Sequence, residues 1–131
     1  MAVAPFLTGC LGADEEAQHA RGAARDIAGV VDRLERATAA RDFGTVCEEL
    51  FTAAARERAG GEDCERLTRS AAEGIARPRI EMKSIRVRAD AARVEVTTRA
   101  AGQAEVPGVL ELRREQGEWR VEALGASGPG R

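Results

Sequence analysis

The chain has 131 residues, a length that fits one domain and buries roughly 65 to 70% of its unfolded surface. Its hydrophobic content of 44% is largely alanine, with three Phe, one Trp and no Tyr, so a single thin, aliphatic core is expected. Charged residues make up 32% of the chain with both signs interspersed and a net charge of -2, which excludes the basic footprint of a nucleic-acid binder.

Every basic side chain except Lys83 is arginine, which together with abundant Ala and Gly reads as GC-rich coding bias rather than as a phosphate-binding array. The first ten residues are apolar and close on Leu7-Thr8-Gly9-Cys10, which resembles a bacterial lipobox. In that motif the cysteine thiol carries the diacylglycerol that holds the mature protein on a membrane. Residues 1–10 are therefore read as the remnant of a lipoprotein signal peptide, with Cys10 as the lipidation site. No Arg or Lys precedes Arg21 and only nine residues precede Cys10, and a start upstream of Met1 accounts for both shortfalls. The competing reading is a flexible N-terminus with an incidental cysteine, which leaves the protein cytoplasmic. The segment is far shorter than the roughly 20 apolar residues of a spanning helix. Residues 11–23 are small and polar and read as a flexible tether.

From residue 24 the apolar spacing becomes periodic. Ile27, Val30, Val31 and Leu34 fall at i, i+3, i+4 and i+7, on one face of a first helix. A second helix starts at Asp42, its N-cap, and carries Phe43, Val46, Cys47, Leu50, Phe51 and Ala54 on its apolar stripe, ending at Gly60-Gly61. A third opens near Glu62 and Asp63 with Cys64, Leu67, Ala71 and Ile75 on one side, and Pro78 marks its end.

The period then changes to two. Ile80 and Met82 alternate with Glu81 and Lys83, and the phase slips at Ser84 before Ile85 and Val87 resume it, which predicts a β-bulge there. A second strand carries Val94, Val96 and Thr98, a third Leu110 and Leu112. A fourth follows the turn at Gln116-Gly117, with Trp119, Val121 and Ala123 sharing a face. The Gly- and Pro-rich residues 125–131 read as a disordered tail. The predicted class is α+β: three N-terminal helices packed on a curved four-stranded antiparallel sheet, in one domain over 24–124.

The closing Gly117-Glu118-Trp119-Arg120-Val121, with the helix entry Ala40-Arg41-Asp42-Phe43, is similar to the nuclear transport factor 2-like (SnoaL-like) superfamily. The resemblance spans about 24–124 and implies a cone-shaped domain. Members include isomerases and polyketide cyclases, in which an Asp with a Tyr or His moves a proton, and lipoproteins with no assigned reaction. This chain has no Tyr, and its one histidine, His19, falls in the tether. No catalytic residue is assigned.

The turn at Gly60-Gly61 folds Cys47 toward Cys64. They form a disulfide or remain two buried reduced thiols. Two cysteines without a domain histidine fall short of a metal site, and no metal or cofactor is expected. Glu95 and Glu111 alternate with apolar neighbours and are expected to face solvent, while Glu48, Glu49, Arg56, Glu57 and Arg58 read as a charge-paired surface. The leading expectation is a non-enzymatic, membrane-tethered extracytoplasmic binding or accessory domain. Its expected partners are the membrane through its lipid, and a small apolar ligand or a protein. The alternatives are a cone-type isomerase or cyclase acting on an apolar small molecule, and a structural module that forms a homodimer. Nucleic acid is not among the expected partners.

Overall fold

The computed structural model describes residues 8–126. The residues before Thr8 and the tail from Ser127, read above as part of the signal remnant and as disorder, lie outside this range. The chain runs as a long helix, a set of short helical pieces and a four-stranded antiparallel meander in the order β1-β2-β3-β4.

Helix α1 spans Thr8–Ala39 and is about 48 Å long at 1.5 Å per residue. It begins well before the helix expected from residue 24, so residues 11–23 are helical where a flexible tether was predicted. The reason is local. That segment is rich in Ala, Glu, Gln and Arg, which are strong helix formers whether or not a core is near. Among the residues of α1 whose burial is described, Ala23, Ile27 and Val31 keep one stripe against the sheet, and Ala37 is buried among the helical pieces.

The end of α1 is a Schellman turn. The Arg41 N–H donates to Thr38 O at 3.0 Å and the Asp42 N–H to Ala37 O at 2.8 Å, with Arg41 in the left-handed region at φ 59°. Asp42 then caps the next helix. Its carboxylate accepts from the Thr45 hydroxyl at 2.7 Å and from the Thr45 N–H at 3.2 Å. These bonds, the hydroxyl first, hold the Asp42 carboxyl below the usual aspartate range.

Helix α2 (Phe43–Thr45) continues as a π-helical turn (Val46–Leu50), and there the second predicted helix breaks. Phe51 is extended at φ -87° and ψ 148°, and helix α3 (Ala53–Arg58) restarts beyond it with Thr52 as its cap. Apolar residues at helical spacing on both sides of the break made it look continuous. It is set by a long-range contact: the Thr52 N–H donates to Val121 O at 3.0 Å, and Phe51 pairs with Val121 in a parallel bridge. After a 3₁₀ turn (Gly61–Asp63), helix α4 covers Cys64–Ala71 and stops short of Ile75. The three expected helices are thus one long helix and several short pieces.

The sheet follows the predicted strands closely. Strands β1 (Arg79–Arg88) and β2 (Ala91–Arg99) pair with a register shift between Met82 and Ser84, the bulge expected from the sequence. Strands β3 (Val106–Glu115) and β4 (Glu118–Ala126) join through Gln116-Gly117, both at positive φ (52° and 81°) as a two-residue type I′ turn requires. A second, unpredicted shift pairs Leu112 with Val121 but Glu111 with Ala123, leaving Glu122 as the extra residue. Beyond it Leu124, not Ala123, stands opposite Leu110.

Two apolar clusters result. Ala23, Ile27 and Val31 of α1 meet Ala92, Val94, Val96, Leu110, Leu112, Trp119 and Val121 of the sheet. Ala37, Phe43, Val46, Leu50 and Ala72 form the second among the helices, and Val30, Leu34 and Phe51 pack against both. Cys47 and Cys64 are joined in a disulfide with Cα atoms 6.1 Å apart, and both are buried. For a loop of this length the chain-entropy model assigns up to about 3 kcal/mol of stability. Urea unfolding with and without a thiol reductant measures it, and an unchanged midpoint on reduction would refute a stabilising role.

Candidate functional site

Between the two clusters lies a cavity of about 660 Å³. Helix α1 and the helical pieces supply one wall through Leu34, Phe43, Val46, Phe51 and Ala72, and the sheet supplies the other through Ile80, Thr98, Leu110 and Val121. Many of the side chains facing the cavity are small or aliphatic, and the chain has no Tyr to fill the gap. A volume between about 300 and 1,000 Å³ with mostly apolar walls is the usual form of a small-molecule site.

The hydroxyls of the wall are already occupied within the protein. Thr38 Oγ1 donates to Leu34 O at 2.7 Å, and Thr98 Oγ1 donates to Val106 O at 3.4 Å. The stronger polar groups are Arg58, Arg79, Arg99, Gln103 and Glu122. Arg79 and Arg99 lie at the sheet end of the lining, exposed and near carboxylates: Glu35 at 3.9 Å from Arg79, Glu105 at 3.0 Å from Arg99. Val106 and Leu124, 58% and 64% exposed, add an apolar lip.

Glu122 is the one carboxylate of the lining, and sequence alternation did not single it out. On an unbroken β4 it would point away from Val121, toward solvent; the bulge at Glu122 brings it to the same wall. One oxygen accepts from the Thr52 hydroxyl at 2.7 Å, the other lies 3.4 Å from Arg58 Nη2, and the same Arg58 nitrogen donates to Glu122 O. The signal that could have found it is the polar Thr52 amid the apolar stripe of the second helix. Thr52 is 1% exposed, and its Oγ1 also accepts from the Ala55 N–H at 3.0 Å.

The sequence-derived candidates fall elsewhere. Cys10 lies within α1. The Cys47–Cys64 disulfide ties the π-helical turn to α4, both of which contribute to the cavity wall. Glu95 and Glu111 are exposed, as their alternation predicts, and Glu95 accepts from Ser84 Oγ at 2.9 Å. His19 is exposed on α1 and borders a separate shallow depression with Glu15, Gln18, Asp26 and Arg114. Among the described residues no group of three or more His, Cys, Asp or Glu could hold a metal ion, and no helix is long and apolar enough to cross a membrane.

Comparisons of the chain with protein-family models, with curated proteins and with solved structures return no match.

The Thr52 hydroxyl joins the cap of α3 to Glu122 on β4. Thr52→Val is expected to lose about 1 to 2 kcal/mol of stability by urea unfolding, from one lost cap and one lost buried hydrogen bond. Stability equal to the wild type would show that the hydroxyl holds neither element.

Proposed function

We propose that this protein is a non-enzymatic binding domain that takes a small molecule with an apolar body into the cavity between its helices and its sheet. The observation that carries the proposal is the cavity itself: about 660 Å³, apolar in its walls, with hydroxyls turned to protein partners and charged groups confined to a few positions. Such a lining rewards burial of hydrocarbon and offers little to a ligand that is polar throughout. The nuclear transport factor 2-like resemblance of the closing hairpin agrees with a pocket between helices and sheet, and the cone shape belongs to this proposal.

A neutral naphthylamine dye that brightens in apolar surroundings tests the reading. It should bind saturably, and Thr98→Trp, which places an indole on the inner wall, should weaken binding by about tenfold, equivalent to ~1.4 kcal/mol, while the protein stays folded. Absence of saturable binding by the wild type would refute the cavity as a ligand site.

The domain is further proposed to sit outside the cytoplasm, anchored by a lipid on Cys10, with the first turns of α1 as a stalk. The motif Leu7-Thr8-Gly9-Cys10 supports this, and the disulfide supports an oxidising compartment. In a bacterial host, cell fractionation should find the protein in the membrane fraction and the Cys10→Ser variant released from it. Equal partition of the two would rule out the lipid anchor.

A further inference from the structure

Helix α4 is an unusual wall. Of residues 62–77 only Cys64 and Ala72 are buried, while Leu67 and Ile75 are exposed, so this stretch has almost no apolar hold on the rest of the molecule. Yet Thr68, Ala71, Ala72 and Ile75 line the cavity. What keeps them there is mostly polar and solvent-accessible. Arg69 Nη1 donates to Arg41 O at 3.2 Å, Arg41 reaches Ala72 O and Arg69 O at 3.5 Å, and both guanidinium groups stand 5.5 Å from the Phe43 ring. Contacts of this kind at a surface are individually weak. The strong attachment is the covalent one, from buried Cys64 to Cys47.

Both ends of the segment are suited to turning. Gly60 and Gly61 precede α4 at φ 125° and 60°, and Gly74 and Arg77 follow it at φ 82° and 51°. Beyond Arg77 the chain enters β1, whose pairing with β2 is part of the well-packed sheet. The segment is thereby bounded on each side, and the sheet cluster with α1 has no share in it.

We propose that α4 is a disulfide-locked gate on the cavity, released by a dithiol reductant. Both cysteines are buried, so attack follows a transient local opening of α4: a thiolate of the reductant then attacks one sulfur of the Cys47–Cys64 bond, forming a mixed disulfide and expelling the other sulfur. The second thiol of the reductant then displaces the first cysteine. The protein gains two electrons and two protons as two thiols, and the reductant leaves as its own disulfide. With the bond cleaved, the segment swings on its glycines and the wall formed by Thr68, Ala71 and Ala72 departs from Phe43 and Val46. A locked wall retains an occupant of the cavity, and a released one lets it exchange.

The part of the inference that concerns ligand exchange rests on the cavity reading, while the gate itself does not, so the two are tested by separate readouts. Hydrogen exchange by mass spectrometry is followed on the full chain, oxidised and after reduction with dithiothreitol. On reduction, residues 62–77 should lose roughly tenfold more protection, or a larger factor, than β2 and β3, which lose only what the lower global stability takes from them. Equal protection of 62–77 in both states overturns the gate. So does an equal loss in 62–77 and in β2 and β3, because the disulfide would then hold the whole fold and not one wall. Where the naphthylamine dye binds the oxidised protein, its dissociation should quicken by a similar factor on reduction, and an unchanged rate overturns the control of exchange. Where the dye binds neither form, the cavity reading fails and the exchange pattern still decides the gate.

Discussion

The backbone bond from the Thr52 N–H to Val121 O sets the arrangement of the whole helical layer. It converts one helix into two short pieces and pins the break to β4. With Phe51 held extended at that point, the π-helical turn and α3 leave in different directions. Thr52, Arg58 and Arg120 then fasten them to the same strand, Arg120 Nη1 donating to Glu48 O at 3.1 Å, while the Ala53 N–H donates to both Glu115 oxygens at 3.2 Å at the end of β3. The short pieces dock along β4 and α1 lies chiefly against β1, so the layer stands off the sheet between them. The cavity is the space left between them.

A thin core makes such standoff cheap. With alanine supplying much of the apolar content, the helices meet the sheet closely only where Ile27, Val31, Phe51 and Trp119 give volume. Elsewhere, polar contacts and the Cys47–Cys64 bond take over the task of holding position. The fold is therefore well packed along α1 from Ala23 and at the sheet centre, and α4 is held chiefly by polar contacts and the disulfide.

The strands and the first bulge were legible in the sequence because alternation is a local property: Ile80 and Met82, then Ile85 and Val87, show the slip without any knowledge of their partners. The helix break was not legible, since Phe51 and Ala54 continue the apolar spacing of Phe43 to Leu50, and what interrupts them lies about seventy residues away at Val121. Length of α1 was missed for a different reason. Low apolar content in residues 11–23 argues against burial, but helix propensity does not depend on burial. Of the site, the disulfide pair could be placed from the turn at Gly60-Gly61, whereas Glu122 required the second bulge, which has no local signature beside an otherwise regular Trp119, Val121, Ala123 alternation.

Trp119 is 5% exposed in the cluster formed by α1 and the sheet, with the Arg114 guanidinium 4.9 Å from its ring, and it does not line the cavity. The chain has no other Trp and no Tyr. Excited at the red edge of protein absorption, the molecule therefore emits from a single indole buried in that cluster. Its spectrum is a private gauge of that cluster, and events at α4 or at the cavity mouth should pass before it almost unseen.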